Sequence, residues 1–422
     1  MEVVIHDISS KGLGVARRGG KVLFVEGALV TEKVKVCPTR EGSSIIEASL
    51  ESILETSLDR VSPVCPHFTR CGGCQLQHLS YEGQLKMKHK RVKDALERLG
   101  GFENPLVHNV IASPPLHYRN KIQMPVRRGK LGFYGAKSHD FVPVDRCYLH
   151  LESSQILLER IESMGIPFEV DTLVMKTASS NGSVLIILCS FGPIDSKLKT
   201  FAQKVLDKEQ QVAGIYFTQR SKDANFVFGR EFILLAGKEA IEDELLGLKF
   251  AIYKDAFYQV NPFQVSHLYQ YVIDSLDLTL KDRVLDAYCG VGTMTLLAAQ
   301  RCKEATGIEC VPSSIESAQK NQELNRIQNA SFYLSKAESK ISQLEKFDKV
   351  ILNPPRKGCE KALLEVLLEQ RVKKIVYVSC DPSTFARDCK FLRSSYALKS
   401  VQPFDLFPQT VHVESVGCLE LI

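Results

Sequence analysis

From about residue 256 onward the sequence alternates short apolar strands with helical stretches, and no other feature restricts the fold as strongly. Parallel strands need a long crossover connection, usually a helix, so this alternation predicts a mostly parallel, doubly wound α/β sheet. A final strand, Val411–Ile422, is predicted to pair antiparallel at the edge of that sheet. The other predicted strands are Arg283–Cys289, Glu304–Cys310, Ser331–Ser335, Lys349–Asn353 and Lys374–Cys380, and the clearest helices are Ser314–Asn325 and Pro382–Arg393.

The first 58 residues have a different pattern, in which short alternating strands are separated by glycine-containing turns. This spacing is typical of a five-stranded OB-like β-barrel, a fold that often binds RNA. The segments Gly12-x-Gly14-Val15-Ala16 and Phe24-Val25-Glu26-Gly27-Ala28-Leu29 resemble the TRAM domain of RNA-modifying enzymes. The predicted strands are Glu2–Ile8, Gly14–Arg18, Lys21–Phe24 and Lys33–Cys37.

Residues 59–255 separate these two regions and predict a central α+β domain, so that the chain divides into domains at 1–58, 59–255 and 256–422. Its one clear predicted helix is Tyr81–Leu99, basic on its exposed face and stopped by Gly100-Gly101. Lys86–Arg98 holds six basic residues against two acidic ones, and His117–His139 holds six basic residues and no acidic one. Two such runs indicate a surface that contacts RNA phosphates, although a solvated face is the ordinary alternative.

Composition narrows the class of protein without naming it. Charged residues make up 24% and hydrophobic residues 44% of the 422 residues, which is typical of folded globular domains. The longest strongly apolar run, Val184–Phe191, is far shorter than the roughly 20 residues that span a bilayer. Met1 leads directly into an alternating pattern unlike a signal peptide. We therefore expect a cytoplasmic protein without membrane contact, and a monomer.

A glycine-rich loop follows the first predicted strand of the doubly wound sheet, in Asp286-Ala287-Tyr288-Cys289-Gly290-Val291-Gly292-Thr293. Glycines in such a loop let the backbone turn tightly and approach a ligand before the next helix begins. Glu309 ends the following strand, where a carboxylate can accept from both hydroxyls of a ribose. The loop thus predicts a Rossmann-like site for either a dinucleotide or S-adenosylmethionine.

Three details favour S-adenosylmethionine. The third glycine of the dinucleotide fingerprint is replaced by Thr295. Asp286 suits a ligand with sulfonium and ammonium groups better than one with a pyrophosphate. The fourth strand ends in Asn353-Pro354-Pro355-Arg356, at the edge of the sheet where ligands bind. The same string resembles the Asn-Pro-Pro-aromatic loop of amino-methyltransferases, but Arg356 replaces the aromatic residue, which weakens that alternative.

Cys380 ends the fifth predicted strand and precedes a helix, in Ser379-Cys380-Asp381-Pro382. A helix amino terminus lowers a thiol's pKa, which predicts a reactive thiolate rather than a structural cysteine. A thiolate that adds to C6 of uracil makes C5 nucleophilic towards a methyl sulfonium, and a base must then remove the C5 proton. Glu414 and His412 are both candidates for that base, and the residue chemistry alone leaves them nearly level.

These residues resemble the RNA uracil-C5 methyltransferases, especially bacterial 23S ribosomal RNA enzymes with a TRAM domain and an iron–sulfur cluster. The resemblance implies that Cys380 is the nucleophile and Glu414 the base. It also implies that Gln259, Tyr288, Thr293, Glu309 and Asn353 contact S-adenosylmethionine, although Asn353 stands where the family usually has Asp. The matching strings are Phe257–Asn261, Val284–Gly292, Val378–Asp388 and Phe407-Pro408-x-Thr410-x-His412-x-Glu414-Ser415.

A cysteine cluster in the central region has the spacing Cys65-x5-Cys71-x2-Cys74, with Cys147 as the nearest isolated fourth ligand downstream. Four thiolates could hold zinc or a [4Fe-4S] cluster, and spacing alone does not decide. The string from Cys65 to His78 resembles the family's C-x5-C-G-G-C-x-x-Q-H, which implies a [4Fe-4S] cluster. Its expected role is to fold the basic segment, without a redox part in methylation.

The predicted function is therefore methylation of C5 of a uridine in RNA, with 23S ribosomal RNA as the expected substrate and the T-loop uridine of transfer RNA as the alternative. A second hypothesis is that the protein is an RNA-binding relative with weakened catalysis, and only Asn353 supports it. An amino-methyltransferase is a third. Phe257 is a candidate stacking partner for an RNA base, although a core phenylalanine is the commoner explanation.

Overall fold

The computed structural model of the protein describes residues 1–136, 138–221 and 227–422. Lys137, which belongs to the second basic run, lies outside the described residues. Across the described ranges, no helix is long and apolar enough to cross a membrane. Within them the strands form one sheet of six strands, two of seven and one of two.

The N-terminal region forms the six-stranded sheet, in the order β1-β5-β6-β4-β3-β2, around a small core that includes Leu23, Val25, Val34 and Val36. The predicted strand Glu2–Ile8 is divided in two, and β6 was not predicted. Closure of this sheet into an OB-like barrel remains a prediction. The strands are β1 Glu2–Val4, β2 Asp7–Ile8, β3 Gly14–Arg18, β4 Lys21–Val25, β5 Lys33–Glu41 and β6 Ile45–Glu55.

The central region contains a mainly antiparallel sheet, in the order β13-β12-β11-β10-β7-β8-β9, and the hairpin β14-β15. Two helices besides the predicted one lie here, so the expectation of a single clear helix was wrong. The elements are α1 Tyr81–Ala95, continued by a π-helix Leu96–Gly100, then β7 Lys121–Arg127, β8 Lys130–Tyr134, β9 Phe141–Pro143, α2 Glu152–Ser163, β10 Thr172–Thr177, β11 Val184–Ser190, α3 Ser196–Lys208, β12 Val212–Gln219, β13 Ile233–Gly237, β14 Ala240–Leu245 and β15 Leu248–Tyr253.

The C-terminal region is the predicted doubly wound sheet, in the order β18-β17-β16-β19-β20-β22-β21. Its parallel strands and helices end within a few residues of the predicted bounds because apolar runs and glycine or proline breaks define them locally. The elements are α4 Pro262–Ser275, β16 Arg283–Asp286, α5 Thr293–Ala299, β17 Glu304–Glu309, α6 Pro312–Leu324, β18 Ala330–Leu334, α7 Ala337–Lys340 with a 3₁₀ turn Ile341–Gln343, β19 Lys349–Leu352, α8 Lys361–Gln370, β20 Lys374–Ser379, α9 Pro382–Leu392, β21 Tyr396–Phe404 and β22 Glu414–Leu421.

The last strand differs from its prediction. β22 lies between β20 and β21 and pairs antiparallel with both, so it is an interior strand, and the unpredicted β21 forms the edge. Its sequence from Glu414 to Leu419 is buried throughout, as expected for a strand with neighbours on both sides. The C-terminal sheet is therefore closed off by an antiparallel pair that carries one of the predicted catalytic residues.

Helix α1 belongs in space to the C-terminal sheet, although it precedes the central sheet in sequence. Val92, Ala95 and Leu96 of this helix and its continuation are buried in the same core as α9 and the strands β19 and β20. Ser80 caps the helix by accepting from the N–H of Gly83. A boundary drawn at residue 255 therefore separates α1 from the sheet on which it packs.

Candidate active site

The carboxyl ends of the parallel strands open onto a cavity of about 880 Å³. This is the edge where open α/β sheets bind their ligands, and the volume suits a nucleoside-sized ligand with room beside it. The structure brings most of the predicted site residues together here: Gln259, Tyr288, Gly290, Thr293, Glu309, Asn353, Cys380 and Glu414 all line the cavity.

The glycine-rich loop is shaped for close approach by a ligand. Gly290 and Gly292 adopt left-handed backbone conformations, with φ of 53° and 83°, which favour glycine. A Cβ on Gly292 would come within 2.9 Å of the Phe332 ring, whereas one on Gly290 would meet nothing within 4 Å and would face the cavity. The loop thus presents the backbone of Gly290 to the cavity, and Thr293 begins α5 directly after the loop.

The two predicted carboxylates occupy different positions. Glu309 lines the cavity and is held by the backbone, since it accepts from the N–H groups of Gly290, Cys310 and Val311 at 2.7 to 3.2 Å. Asp286 does not line the cavity. It is buried behind the loop, where it accepts from the Thr295 hydroxyl at 2.8 Å, and burial raises its pKa to about 7.

Strand register brings Cys380 and Glu414 together. Ser379 at the end of β20 pairs with Ser415 of β22. In an antiparallel pair the next residue along one strand faces the preceding residue of the other. Cys380 and Glu414 therefore meet across the two strands, although 33 positions separate them in sequence, and both side chains reach the cavity.

The Cys380 thiol is less acidic than the sequence predicted. Burial and the facing Glu414 raise its pKa to about 11, and the Arg356 guanidinium opposes this shift. The thiolate that the sequence predicted is therefore not the main form of Cys380 at neutral pH in the protein alone. Asp381 contributes to the rise in the pKa of Cys380. Its carboxylate caps α9 by accepting from the N–H groups of Ser383 and Thr384 and adds a negative charge near the thiol.

Glu414 and His412 differ sharply as candidate bases. Burial raises the pKa of Glu414 to about 7, and Arg356 again opposes the shift. A carboxyl group with a pKa near 7 is well matched to proton transfer at neutral pH. Burial and nearby cations lower the pKa of His412 to about 4, so its imidazole is neutral but a weak base. The geometry places Glu414, not His412, opposite Cys380.

The loop that carries Asn353 and Arg356 is held against α9 by hydrogen bonds. The Arg387 guanidinium donates to the carbonyl of Lys357 at 2.9 Å, and the Asp388 carboxylate accepts from the N–H of Cys359 at 2.8 Å. The Thr384 hydroxyl donates to the Arg356 carbonyl at 3.2 Å. Because α9 begins two residues after Cys380, these contacts fix Arg356 relative to the thiol whose charge it stabilises.

Several cavity residues were missing from the sequence-based set. Tyr269 on α4 reaches the cavity and contacts Gln259, but from sequence it is one of several apolar-face residues of a helix. Arg356 was noted only as a replacement for an aromatic residue, and Phe407 only as part of a string. Phe257 lines the cavity with 64% of its surface exposed, so the core explanation for it was wrong.

The four predicted cluster cysteines line a second, smaller cavity of about 90 Å³ in the central region. Cys65, Cys71 and Cys74 come from the segment before α1, and Cys147 comes from the loop before α2. The N–H of Gly73 points at the Cys71 sulfur at 3.4 Å. Among the described residues, no three His, Cys, Asp or Glu side chains converge to hold one metal ion.

The two basic runs differ in their exposure and in the groups that they contact. Lys88 of α1 is fully buried, and Lys86, Lys90, Lys93 and Arg98 each have an acidic partner. The exposed face of this helix carries Lys86, Lys90 and Arg98, as the sequence predicted, and each of these cations has a carboxylate nearby. In the second run, Arg119 and Lys121 line the cysteine cavity, whereas Arg127, Arg128 and Lys130 are exposed.

The fold and the site define a methyltransferase with a Rossmann-like sheet and a cysteine facing a carboxylate at its ligand edge. Residues 80–421 match the sequence profile of the tRNA (uracil-5-)-methyltransferase family. The chain is 37% identical to an uncharacterized RNA methyltransferase of Listeria innocua, over 100% of this chain and 97% of the relative. It is 37% identical, with the same coverage, to one of Halalkalibacterium halodurans. The chain belongs to the family of RNA uracil-C5 methyltransferases.

One solved structure has a similar fold over almost the whole length of this chain. The crystal structure of Pyrococcus abyssi tRNA (uracil-54, C5)-methyltransferase in complex with S-adenosyl-L-homocysteine superposes with a TM-score of 0.79 at 26% identity. The superposition covers 99% of this chain and 100% of the other. S-adenosylmethionine is accordingly the methyl donor of this family's site.

Proposed function

We propose that this protein methylates C5 of a specific uridine in RNA through a covalent bond between Cys380 and C6 of the uracil. The observation that carries the proposal is the pairing of β20 with β22, which sets Cys380 opposite Glu414 at the edge of the large cavity. In methyl transfer to an exocyclic amine, the amine nitrogen attacks the methyl group itself. Such a reaction needs neither a covalent protein nucleophile such as Cys380 nor a base to remove a C5 proton. The amino-methyltransferase alternative leaves both residues without a role.

S-adenosylmethionine supplies an electrophilic methyl group when bound. The residues that would hold it are Gln259, Tyr288, Thr293, Glu309 and Asn353 around the cavity, with backbone access at Gly290, whereas Asp286 lies behind the loop and outside the cavity. The glycine backbone that faces open cavity and the backbone-held Glu309 carboxylate fit such a ligand. Asn353 keeps a carbonyl acceptor where the family usually has a carboxylate.

The reaction steps follow from the residues at the cavity edge. The Cys380 thiolate adds to C6, which makes C5 a nucleophile that can accept the methyl group. Arg356 favours this step because its charge opposes the rise in the thiol's pKa. Glu414, ionised, then removes the surplus proton from C5, and the electron pair of that C–H bond re-forms the C5–C6 double bond. The C6–sulfur bond breaks at the same time and returns the thiolate.

We further propose that the four cysteines hold a [4Fe-4S] cluster. Thiols around a cavity suit a bulky cluster better than one zinc ion, which needs all four sulfurs about 2.3 Å from a single point. An N–H donor to a ligand sulfur, as at Cys71, is a common feature of iron–sulfur sites. The residues that would hold it are Cys65, Cys71, Cys74 and Cys147, and the cluster would tie the segment before α1 to the loop before α2.

We propose 23S ribosomal RNA as the substrate, since the N-terminal segments Gly12–Ala16 and Phe24–Leu29 and the cysteine string from Cys65 to His78 resemble those of the bacterial rRNA enzymes. The T-loop uridine of transfer RNA is the alternative that the Pyrococcus relative favours. Mapping of 5-methyluridine in both RNAs, with and without the gene, decides between them. Unchanged 5-methyluridine at every site of both RNAs would contradict the proposed function itself.

A further inference from the structure

The loop from Asp405 to Val413, here called the base loop, ends on Glu414 and brings two more side chains to the cavity. Phe407 and His412 both line the cavity and contact each other edge to face, with ring centroids 6.0 Å apart. A shift of this loop would therefore move three cavity groups together, the proposed base among them. What holds the loop in place consequently bears on the proton-transfer step.

Gln409 lies at the tip of the base loop and is held by three separate segments. The Gln84 side chain of α1 holds both the side chain and the backbone of Gln409: Gln84 Nε2 donates to Gln409 Oε1 at 3.0 Å, and Gln84 Oε1 accepts from the backbone N–H of Gln409 at 2.9 Å. The Gln409 carbonyl accepts from the N–H groups of Gln75 and Leu76, each at 3.0 Å. Its Nε2 donates to the Pro115 carbonyl at 3.3 Å.

The backbone of Gln409 adopts a conformation that glutamine normally avoids. Its φ is 68°, in the left-handed region, and the residue is buried at 7% exposure. Non-glycine residues persist there only where surrounding contacts over-determine the conformation, and such positions cluster at functional sites. The contacts to Gln84, Gln75 and Leu76 supply that constraint, because they satisfy the polar groups of both the backbone and the side chain.

One of the segments that hold Gln409 directly follows the cysteines that line the smaller cavity. Gln75 directly follows Cys74, which lines that cavity. A second link runs beside it: the fully buried Tyr118 donates its hydroxyl to the Pro408 carbonyl at 3.0 Å, and its neighbour Arg119 lines the same cavity. The segment Cys65–Leu76, here called the cysteine segment, is thus joined to the base loop by direct hydrogen bonds.

We propose that Gln409 is a positioning residue that couples the cysteine segment and α1 to the base loop, and so sets where Glu414 stands relative to the uracil C5 proton. This inference rests on the proposed function, in which Glu414 acts only after methyl transfer. Misplacement of the base would therefore delay release of the RNA. It would leave formation of the Cys380–uracil bond and S-adenosylmethionine binding intact.

The test compares Gln409→Asn and Gln84→Ala with the wild type, using transcribed 23S ribosomal RNA as the probe. Asparagine tolerates the left-handed conformation better than glutamine but is too short to reach Gln84, so a purely conformational role predicts normal function for Gln409→Asn. Positioning predicts a turnover about tenfold lower in both variants, with more protein–RNA adduct on denaturing gels. The affinity for S-adenosylmethionine should not change.

Gln402→Ala is the matched control, because Gln402 is also a glutamine at 7% exposure and donates to the carbonyls of Asn109 and Pro403 instead. It should lose thermal stability without accumulating adduct. Wild-type turnover in both test variants, or lower turnover without added adduct, overturns the coupling. If Glu414→Gln also gives no adduct, the assignment of the base fails, and the coupling fails with it.

Discussion

Cys380 is surrounded by groups that oppose its ionisation, and Arg356 is the nearby charge that favours it. Burial and Glu414 raise the thiol's pKa to about 11, so few molecules carry the thiolate at neutral pH in the protein alone. A positively charged ligand in the same cavity would favour the thiolate further. The nucleophile is therefore expected to become reactive mainly when the methyl donor and the RNA are in place.

Replacement of the nucleophile separates the proposed chemistry from methylation of an amine. Cys380→Ser is expected to lower 5-methyluridine formation by more than a thousandfold, since a hydroxyl cannot replace the thiolate in addition to C6. Binding of S-adenosylmethionine, measured by calorimetry, should stay within error of the wild type because the other cavity residues are unchanged. Retained methyl transfer to RNA in this variant would contradict a covalent mechanism.

The pH dependence of RNA release should report on Glu414. Its pKa of about 7 means that the carboxylate form, which accepts the C5 proton, increases as the pH rises from about 6 to 8. At saturating S-adenosylmethionine, the single-turnover rate of adduct breakdown is therefore expected to rise through about pH 7. A breakdown rate that is constant over this range would indicate another base.

The buried carboxyl group of Glu414 should also lower the free energy of unfolding at alkaline pH. A pKa raised from 4.5 to about 7 means that the folded state binds the proton more tightly than the unfolded state. The stability from this group is therefore complete below about pH 4.5 and is lost as the pH rises through about 7. Glu414→Gln removes the charge, so it should stabilise the free protein at pH 8 by up to about 3 kcal/mol. Urea unfolding at pH 5 and pH 8 measures this difference, and equal effects at both pH values would contradict the assignment.

At the scale of elements, α1 acts as a brace between the N-terminal half of the chain and the base loop. Lys88 is fully buried and donates to the Asp405 carboxylate at 2.5 Å and to the Phe407 carbonyl at 3.0 Å. Burial lowers the pKa of Lys88, while the Asp405 charge opposes that shift. The guanidinium of Arg91 donates to the Val411 carbonyl at 2.5 Å. The helix thus fixes both ends of the base loop as well as its tip.

Removal of one partner of this buried ion pair should be costly. Lys88→Met leaves the Asp405 carboxylate buried without its cation and is expected to destabilise the protein by about 3–5 kcal/mol. The double variant Lys88→Met, Asp405→Asn leaves no uncompensated charge and should recover part of that loss. Denaturant unfolding of the single and double variants gives both values. A double variant less stable than Lys88→Met would show that charge burial is not the cause.

Agreement between sequence and structure at this scale depended on whether an element is locally encoded. The strands that became β16 to β20 each carry an apolar run bounded by glycine, proline or a polar turn, and their bounds were predicted closely. The strand β22 was found, but its interior position was not. Strand order depends on which segments pair across the sheet, and β21 carries no pattern that identifies it as the partner.

At the scale of the whole molecule, the N-terminal sheet, the cysteine segment and the C-terminal sheet meet at the base loop. Leu29 of the N-terminal region, Leu76 and Leu79 after the cysteines, and Val411 form one buried cluster. A partly buried ion pair between Glu32 and Arg60 joins the N-terminal sheet to the segment before the cysteines, with Nε of Arg60 2.5 Å from Glu32 Oε1. The regions predicted as separate domains therefore share a core beside the active site.

The cysteine cavity allows a test that involves the whole chain. Anaerobically purified protein is expected to be brown, with broad absorption in the visible range, and Cys147→Ser should lose most of that colour because one cluster ligand is missing. The variant should also unfold at a lower temperature, since the segment before α1 would lose its link to the loop before α2. Colourless, zinc-loaded wild-type protein would contradict the cluster.

Features that depend on neighbours along the chain could be predicted from the sequence: the alternation of strands and helices, the glycine-rich loop at Gly290 and Gly292, and the spacing of the cysteines. The packing of distant segments places Cys380 opposite Glu414, makes Lys88 a buried partner of Asp405 rather than a phosphate contact, and raises the pKa of the Cys380 thiol. The physical reason is that strand register, desolvation and charge pairing depend on which distant residues pack together. A local pattern fixes what a residue can do, and the packed neighbours fix the charge and position in which it does it.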